Sequence, residues 1–100
     1  MIAIHPGEIL REEYMNVLGL SAHALALSLG VPATRIHDII HERRGISTDT
    51  ALRLAKYFNT DMELWMNLQA QYEACKLKEE HALEFERIIP YSEPEHSVTV

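Results

Sequence analysis

The chain has one cysteine, four glycines, four prolines and no long apolar run. A lone Cys75 can close no intramolecular disulfide and cannot build a cysteine-rich zinc site, so it reads as a small apolar residue on a helix. So little Gly and Pro excludes a collagen-like or largely disordered chain. A membrane-spanning helix needs about 18 or more consecutive apolar residues, and none occur. The opening stretch, MIAIHPGEIL, lacks the basic and then apolar regions of a signal peptide. These absences predict a cytoplasmic chain. Also missing are a Gly-rich phosphate loop, a G-x-S-x-G turn and a Cys/His pair in a recognisable context, so no enzyme and no cofactor are expected.

What remains is 100 residues, 47% apolar and 24% charged, which suits one small domain with a single core. The net charge of −6 is uneven. Residues 20–47 carry +1, with Arg35, Arg43 and Arg44 against Asp38 and Glu42, and three histidines besides. Residues 61–100 carry −6, with nine acids against Lys76, Lys78 and Arg87. An acidic total argues against a general nucleic-acid coat protein but is compatible with a local basic face.

Capping signals divide the chain into five predicted helices. Pro6 suits a first helical position and Glu8 a first turn. Ile9, Leu10, Tyr14, Val17 and Leu18 follow near-helical spacing, and Gly19 suits a left-handed cap. Ser21 is a good N-cap for the second helix, with Leu20 and Leu25 placed as a hydrophobic staple. Gly30-Val31-Pro32 breaks to a third helix, whose inner face is Ile36, Ile39 and Ile40. Ser47 caps a fourth, with Asp49 in its first turn, apolar residues Ala51, Leu52, Leu54, Ala55 and Phe58, and Asn59 at its end. Thr60-Asp61-Met62-Glu63 reads as a capping box for the longest helix, to about His81, roughly 30 Å long. From Leu83 the pattern weakens, and a helical extension, an edge strand and a loose tail all fit. The remaining histidines, His5, His81 and His96, read as surface residues.

The informative spacing is Ala26, Gly30, Ile36 and Ile39. A small Ala lets two helices cross closely, and Gly permits a left-handed turn between them. The isoleucines anchor the second helix and leave its other face free for a DNA major groove. By spacing alone, a plain helical hairpin fits as well.

On longer motifs the chain resembles the HigA-type antitoxins, within the Xre/Cro-like helix-turn-helix family. HPGEIL, LGVPATRIHDII, RRGIS-x-D-TALRLAKYF and ELWMNLQAQYE carry the resemblance over about residues 5–75, and W-x-N-L-Q-x-x-Y after ALRLAK is its most specific part. It implies an all-α, compact five-helix Xre/lambda-repressor-like domain over residues 1–81, with a C-terminal extension at 82–100. It also implies two activities. One is repression by binding double-stranded operator DNA in the protein's own promoter as a homodimer. The other is neutralisation of a small basic HigB-type toxin that cleaves mRNA. The alternatives are a free-standing Xre-type regulator and a protein-interaction module without DNA binding. Two departures stand out: Glu42 replaces a common Gly, and His37 and His41 replace residues that are commonly Ser or Asn.

Arg35 is the first candidate for a base contact, since Arg can bond guanine O6 and N7 together. Thr34, His37 and Asp38 share its face as further base candidates; Asp38 can accept from cytosine N4, and is expected rather to orient Arg35 one turn away. His41, Arg43 and Arg44 would meet phosphates at the helix end, as would Ser21 and His23 at the preceding helix N-terminus. His37 and His41 also have the i, i+4 spacing of a zinc pair, but no third ligand is evident and no metal is expected. Trp65 and Met66 lie on a helix with a broad apolar surface, suited to core packing and to a dimer contact. Leu83, Phe85, Ile88 and Ile89 stand as apolar anchors in the acidic C-terminal stretch, where a basic toxin would be steered. The acidic first helix, with Glu8, Glu12 and Glu13, is a rival toxin surface.

Overall fold

The computed structural model describes residues 2–93. The first helix, α1, covers residues 6–18 in three parts: an α-turn at Pro6–Ile9, a π-helical stretch at Leu10–Met15 and a closing turn at Asn16–Leu18. The π stretch explains a departure from the sequence reading. Leu10 and Met15, five residues apart, are both buried, whereas Val17 and Leu18 are 73% and 59% exposed. An i→i+5 ladder, seen in the Asn16 N–H donating to the Arg11 carbonyl, turns Met15 inward and carries Val17 and Leu18 out.

The other helices are α2 (Ala22–Leu29), α3 (Ala33–Ile40), α4 (Thr48–Phe58), α5 (Met62–Glu80) and a short α6 (Ala82–Glu86). Ser21 and Ser47 cap α2 and α4, accepting from the Ala24 and Thr50 N–H groups at 3.1 and 3.3 Å. Gly19, Gly30 and Asn59 end their helices in the left-handed conformation. The expected capping box is absent. Asp61 is the N-cap of α5 and makes no side-chain cap bond. The Thr60 hydroxyl instead accepts from Trp65 Nε1 at 2.9 Å, because a buried indole N–H needs a partner more than an exposed helix end does.

The core gathers Leu10, Leu25, Ile36, Ile39, Ala51, Leu54 and Trp65, all fully buried. Tyr14 and Phe58 pack on Trp65 with ring centroids 5.0 and 6.3 Å away. The dimer contact expected of Trp65 is therefore overturned. Its ring has no exposed surface, being wrapped by its own chain. Met66, the other residue named for that contact, is half-buried against the same core. Leu52, expected inside, is 54% exposed on α4.

From Lys76 to Glu93 no residue is buried. The radius of gyration is 18.9 Å, against about 13 Å for a compact domain of this length. The five-helix domain with a C-terminal extension is as expected, and the exposed stretch from Lys76 onward lengthens the chain. Residues 82–86 settle as a helical extension, and residues 88–93 carry no regular structure.

His5 is not the surface residue expected. It is buried, and its Nδ1 accepts from the Gly7 N–H at 2.9 Å, capping α1. Its ring meets Tyr72 edge-on at 4.7 Å. Burial holds the imidazole below its ordinary pKa; Glu42 opposes that shift and Lys76 adds to it. A proton on Nδ1 would also break the cap and set a cation at the positive end of a helix. The unfolded state therefore binds the proton more readily. The stability that neutral His5 supplies is complete above about pH 6.5 and falls as pH drops through the lower folded-state value. His5→Asn, which can still cap, is expected to flatten the decline in urea midpoint between about pH 7 and pH 5. Parallel curves for the two proteins would reject this role.

Candidate nucleic-acid interface

Ala26, Gly30, Ile36 and Ile39 do what their spacing suggested. Ala26 is 2% exposed at the crossing of α2 and α3, and Gly30 turns the chain with φ 72°. The Val31 N–H donates back to the Ala26 carbonyl at 3.0 Å, closing the end of α2. Pro32 then starts α3, whose Ile36, Ile39 and Ile40 point inward.

The rear of α3 is fixed by α1. Arg11 Nη1 donates to the Ile40 carbonyl at 2.5 Å. Gly7 lies so close that an added Cβ would fall 1.9 Å from the Ile39 carbonyl oxygen. The outer face is thereby free. Thr34 and His37 on α3 and His41 just after it are exposed, while Arg35 and Asp38 are half-buried at its margins. His41 Nδ1 donates to the His37 carbonyl at 2.7 Å, and the two rings stack 6.1 Å apart. No three His, Cys, Asp or Glu side chains among the described residues are placed to hold a metal ion.

Beyond α3 the chain turns at Glu42, with φ 62°. Glu there costs about 1–2 kcal/mol relative to Gly. The Arg43 and Arg44 N–H groups compensate by donating to the Asp38 carbonyl at 2.8 and 3.2 Å. Gln69 on α5 braces the same loop by accepting from the Ile46 N–H at 2.7 Å. Arg44 is exposed, with no side-chain partner among the described residues. Ser21 and His23 are exposed at the start of α2. Ser21 uses its oxygen lone pair as a cap, so its hydroxyl proton remains free to donate.

The charged pairs differ from the sequence reading. Asp38 does not orient Arg35. It binds Arg43 instead, its Oδ1 accepting from Nη2 and Nε at 2.9 and 3.2 Å. Arg35 Nη1 donates to Asp49 Oδ2 at 2.6 Å, across to α4. Arg53 Nε joins the same oxygen at 3.0 Å, and Arg53 Nη1 reaches the Leu29 carbonyl at 2.8 Å. Hydrogen bonds from Arg53 and then Arg35 hold the Asp49 carboxyl below its ordinary pKa. In the sequence Asp49 stands only as a first-turn acid, and Arg53 has no expected role. The Asp49–Arg53 spacing of four was the visible signal. The link to Arg35, fourteen residues away, left no local trace.

A short left-handed turn between two anchored helices, with the second presenting a polar face, defines the helix-turn-helix class. The helix-turn-helix family profile matches residues 12–65. The chain is 53% identical to virulence-associated protein I of Dichelobacter nodosus over 92% of this chain and 84% of that one. It matches the structure of the Pseudomonas aeruginosa antitoxin HigA with the higBA promoter at 41% identity and a TM-score of 0.86, over 91% of this chain and all of that one. An addiction-module antidote protein of the HigA family from Coxiella burnetii matches at 42% identity and a TM-score of 0.86, over 91% and 100% of the two chains. The chain belongs to the helix-turn-helix family and, within it, to the HigA antitoxins, a DNA-binding and non-enzymatic class.

Proposed function

We propose that the chain is a sequence-specific repressor that binds its operator as a homodimer and neutralises a small basic HigB-type toxin that cleaves mRNA. The observation that carries the DNA reading is the free outer face of α3, held rigidly from behind by Arg11 and Gly7. The resemblance to a HigA structure with promoter DNA supports it. In this reading Thr34, Arg35, His37 and Asp38 address bases, Asp38 also by steadying Arg43. Ser21, His23, His41, Arg43 and Arg44 address phosphates. One such motif reads few base pairs, so two copies with their α3 helices about 34 Å apart supply specificity. Met66 remains the proposed dimer residue.

Arg35→Ala is expected to weaken operator binding by about 1–3 kcal/mol and to relax the choice at one base pair. Arg44→Ala is expected to weaken all sequences alike and to flatten the salt dependence. Binding titrations on operator and scrambled duplexes read both effects. An unchanged operator-to-scrambled ratio for Arg35→Ala removes it as a base reader.

For the toxin, the support is charge and exposure. Leu83, Phe85, Ile88 and Ile89 are 69%, 47%, 67% and 87% exposed among acidic residues. An RNA-cleaving toxin needs a positive groove, which an acidic partner surface with apolar anchors would cover. The domain then divides as residues 1–81 for DNA and 82–100 for the toxin. Truncation after Lys78 removes no buried side chain among the described residues. It is expected to leave the melting transition and most operator binding intact while abolishing protection of toxin-expressing cells. Full protection by the truncated chain would move the contact to Glu8, Glu12 and Glu13 on α1.

A further inference from the structure

Of the Arg35–Asp49–Arg53 cluster, Arg35 alone is a candidate DNA contact, and Asp49 and Arg53 have no role assigned there. Its geometry is specific. One carboxylate oxygen, Asp49 Oδ2, accepts a hydrogen bond from Arg35 at 2.6 Å and another from Arg53 at 3.0 Å. Arg53 is itself tied to the end of α2 through the Leu29 carbonyl at 2.8 Å. Two helices, α3 and α4, thus meet at one charged oxygen, and Arg53 ties the pair to α2. Arg35 is the more enclosed partner, with 28% of its side chain exposed against 55% for Asp49.

We propose that Asp49 is a positioning residue that sets DNA sequence choice by holding the Arg35 guanidinium in one orientation. This rests on the reading of Arg35 as a base contact. A free Arg side chain samples many rotamers, and ordering it on DNA costs side-chain entropy. Anchored through Nη1, Arg35 has lost much of that freedom already. Its Nε and Nη2 keep their N–H donors for the O6 and N7 of a guanine. The carboxylate also acts against indiscriminate binding. An exposed negative charge beside the DNA-facing helix repels phosphates wherever no guanine rewards the ordered Arg35. The two arginines keep Asp49 ionised. Asp49 therefore lowers affinity for the wrong sequences while it raises discrimination for the right one.

This predicts opposite signs in one variant. The probe is a duplex selected by the wild-type chain from a randomised pool, together with a set carrying single base-pair changes and an unselected duplex. Asp49→Asn preserves shape and removes the charge. It is expected to bind the unselected duplex more tightly by a few-fold. At one base pair its discrimination should fall about ten-fold, the same pair that Arg35→Ala affects. In an Arg35→Ala background, Asp49→Asn should change that discrimination no further. Thermal melting of each variant checks the fold, and Asp49→Ser replaces Asp49→Asn should the latter melt early. A merely structural role would lower affinity for every duplex together and leave the base-pair profile unchanged, which overturns the proposal. If Arg35→Ala relaxes one base pair but Asp49→Asn does not, the positioning role fails and the base-reading role stands. If Arg35→Ala relaxes none, both fail.

Discussion

Trp65→Ala is expected to destabilise the domain by about 3–5 kcal/mol. The ring is fully buried and packs against both Tyr14 and Phe58. It also carries an N–H satisfied by Thr60 at 2.9 Å. Removing the ring leaves a large hole that three helices cannot close together, since α1, α4 and α5 are each pinned elsewhere. Domains of this size hold only about 5–15 kcal/mol in all, so the variant should be largely unfolded under mild denaturant. Urea melts followed by circular dichroism measure the loss. A cost below about 1 kcal/mol would mean the ring is not the core element described here. Thr60→Val separates packing from hydrogen bonding, with an expected cost of about 1–3 kcal/mol for the stranded indole N–H.

Gly7→Ala is the second large effect, and it bears directly on DNA. The new methyl would fall 1.9 Å from the Ile39 carbonyl oxygen and 2.8 Å from its carbonyl carbon, both backbone atoms. A side chain could swing aside, but helix backbone cannot without moving α3. Overpacking of this kind costs about 1–3 kcal/mol or more. The shift would fall on the end of α3, where Arg11 also holds the Ile40 carbonyl. Operator affinity should therefore drop more than the melting temperature alone accounts for. Measuring both at a temperature where the variant is fully folded makes that comparison. Wild-type operator affinity in a folded Gly7→Ala protein would show that α1 does not set the pose of α3.

The turn between α2 and α3 was legible because each residue in it answers a local demand. Gly30 supplies the left-handed backbone, Ser21 satisfies a helix end, and the isoleucines keep helical period. The same local logic misled at Thr60, whose hydroxyl had two partners to choose from, one of them brought near only by folding. It misled again at His5. A lone histidine before a proline carries no sequence sign that Tyr72 will cover it.

The chain's own sequence determined the five main helices, the caps at Gly19, Ser21, Gly30, Ser47 and Asn59 and the free polar face of α3, because backbone preference and hydrophobic period act over a few residues. It also determined the distribution of charge, which needs no fold to be counted. Tertiary structure alone decided the partners of the charged groups. Asp38 had Arg35 and Arg43 both within reach along the chain, and only the turn at Glu42 delivered Arg43 to it. Arg35 was left to Asp49, fourteen residues on, by the fold that brings the start of α4 within reach of α3. The folded chain likewise decided that Trp65 is interior and that Val17 and Leu18 are not, through a π-helical stretch in α1 that shifts the register. The reason is common to all of these. A charged or aromatic side chain reaches several ångströms, so its partner is chosen by the packing of whole helices and not by its neighbours in sequence.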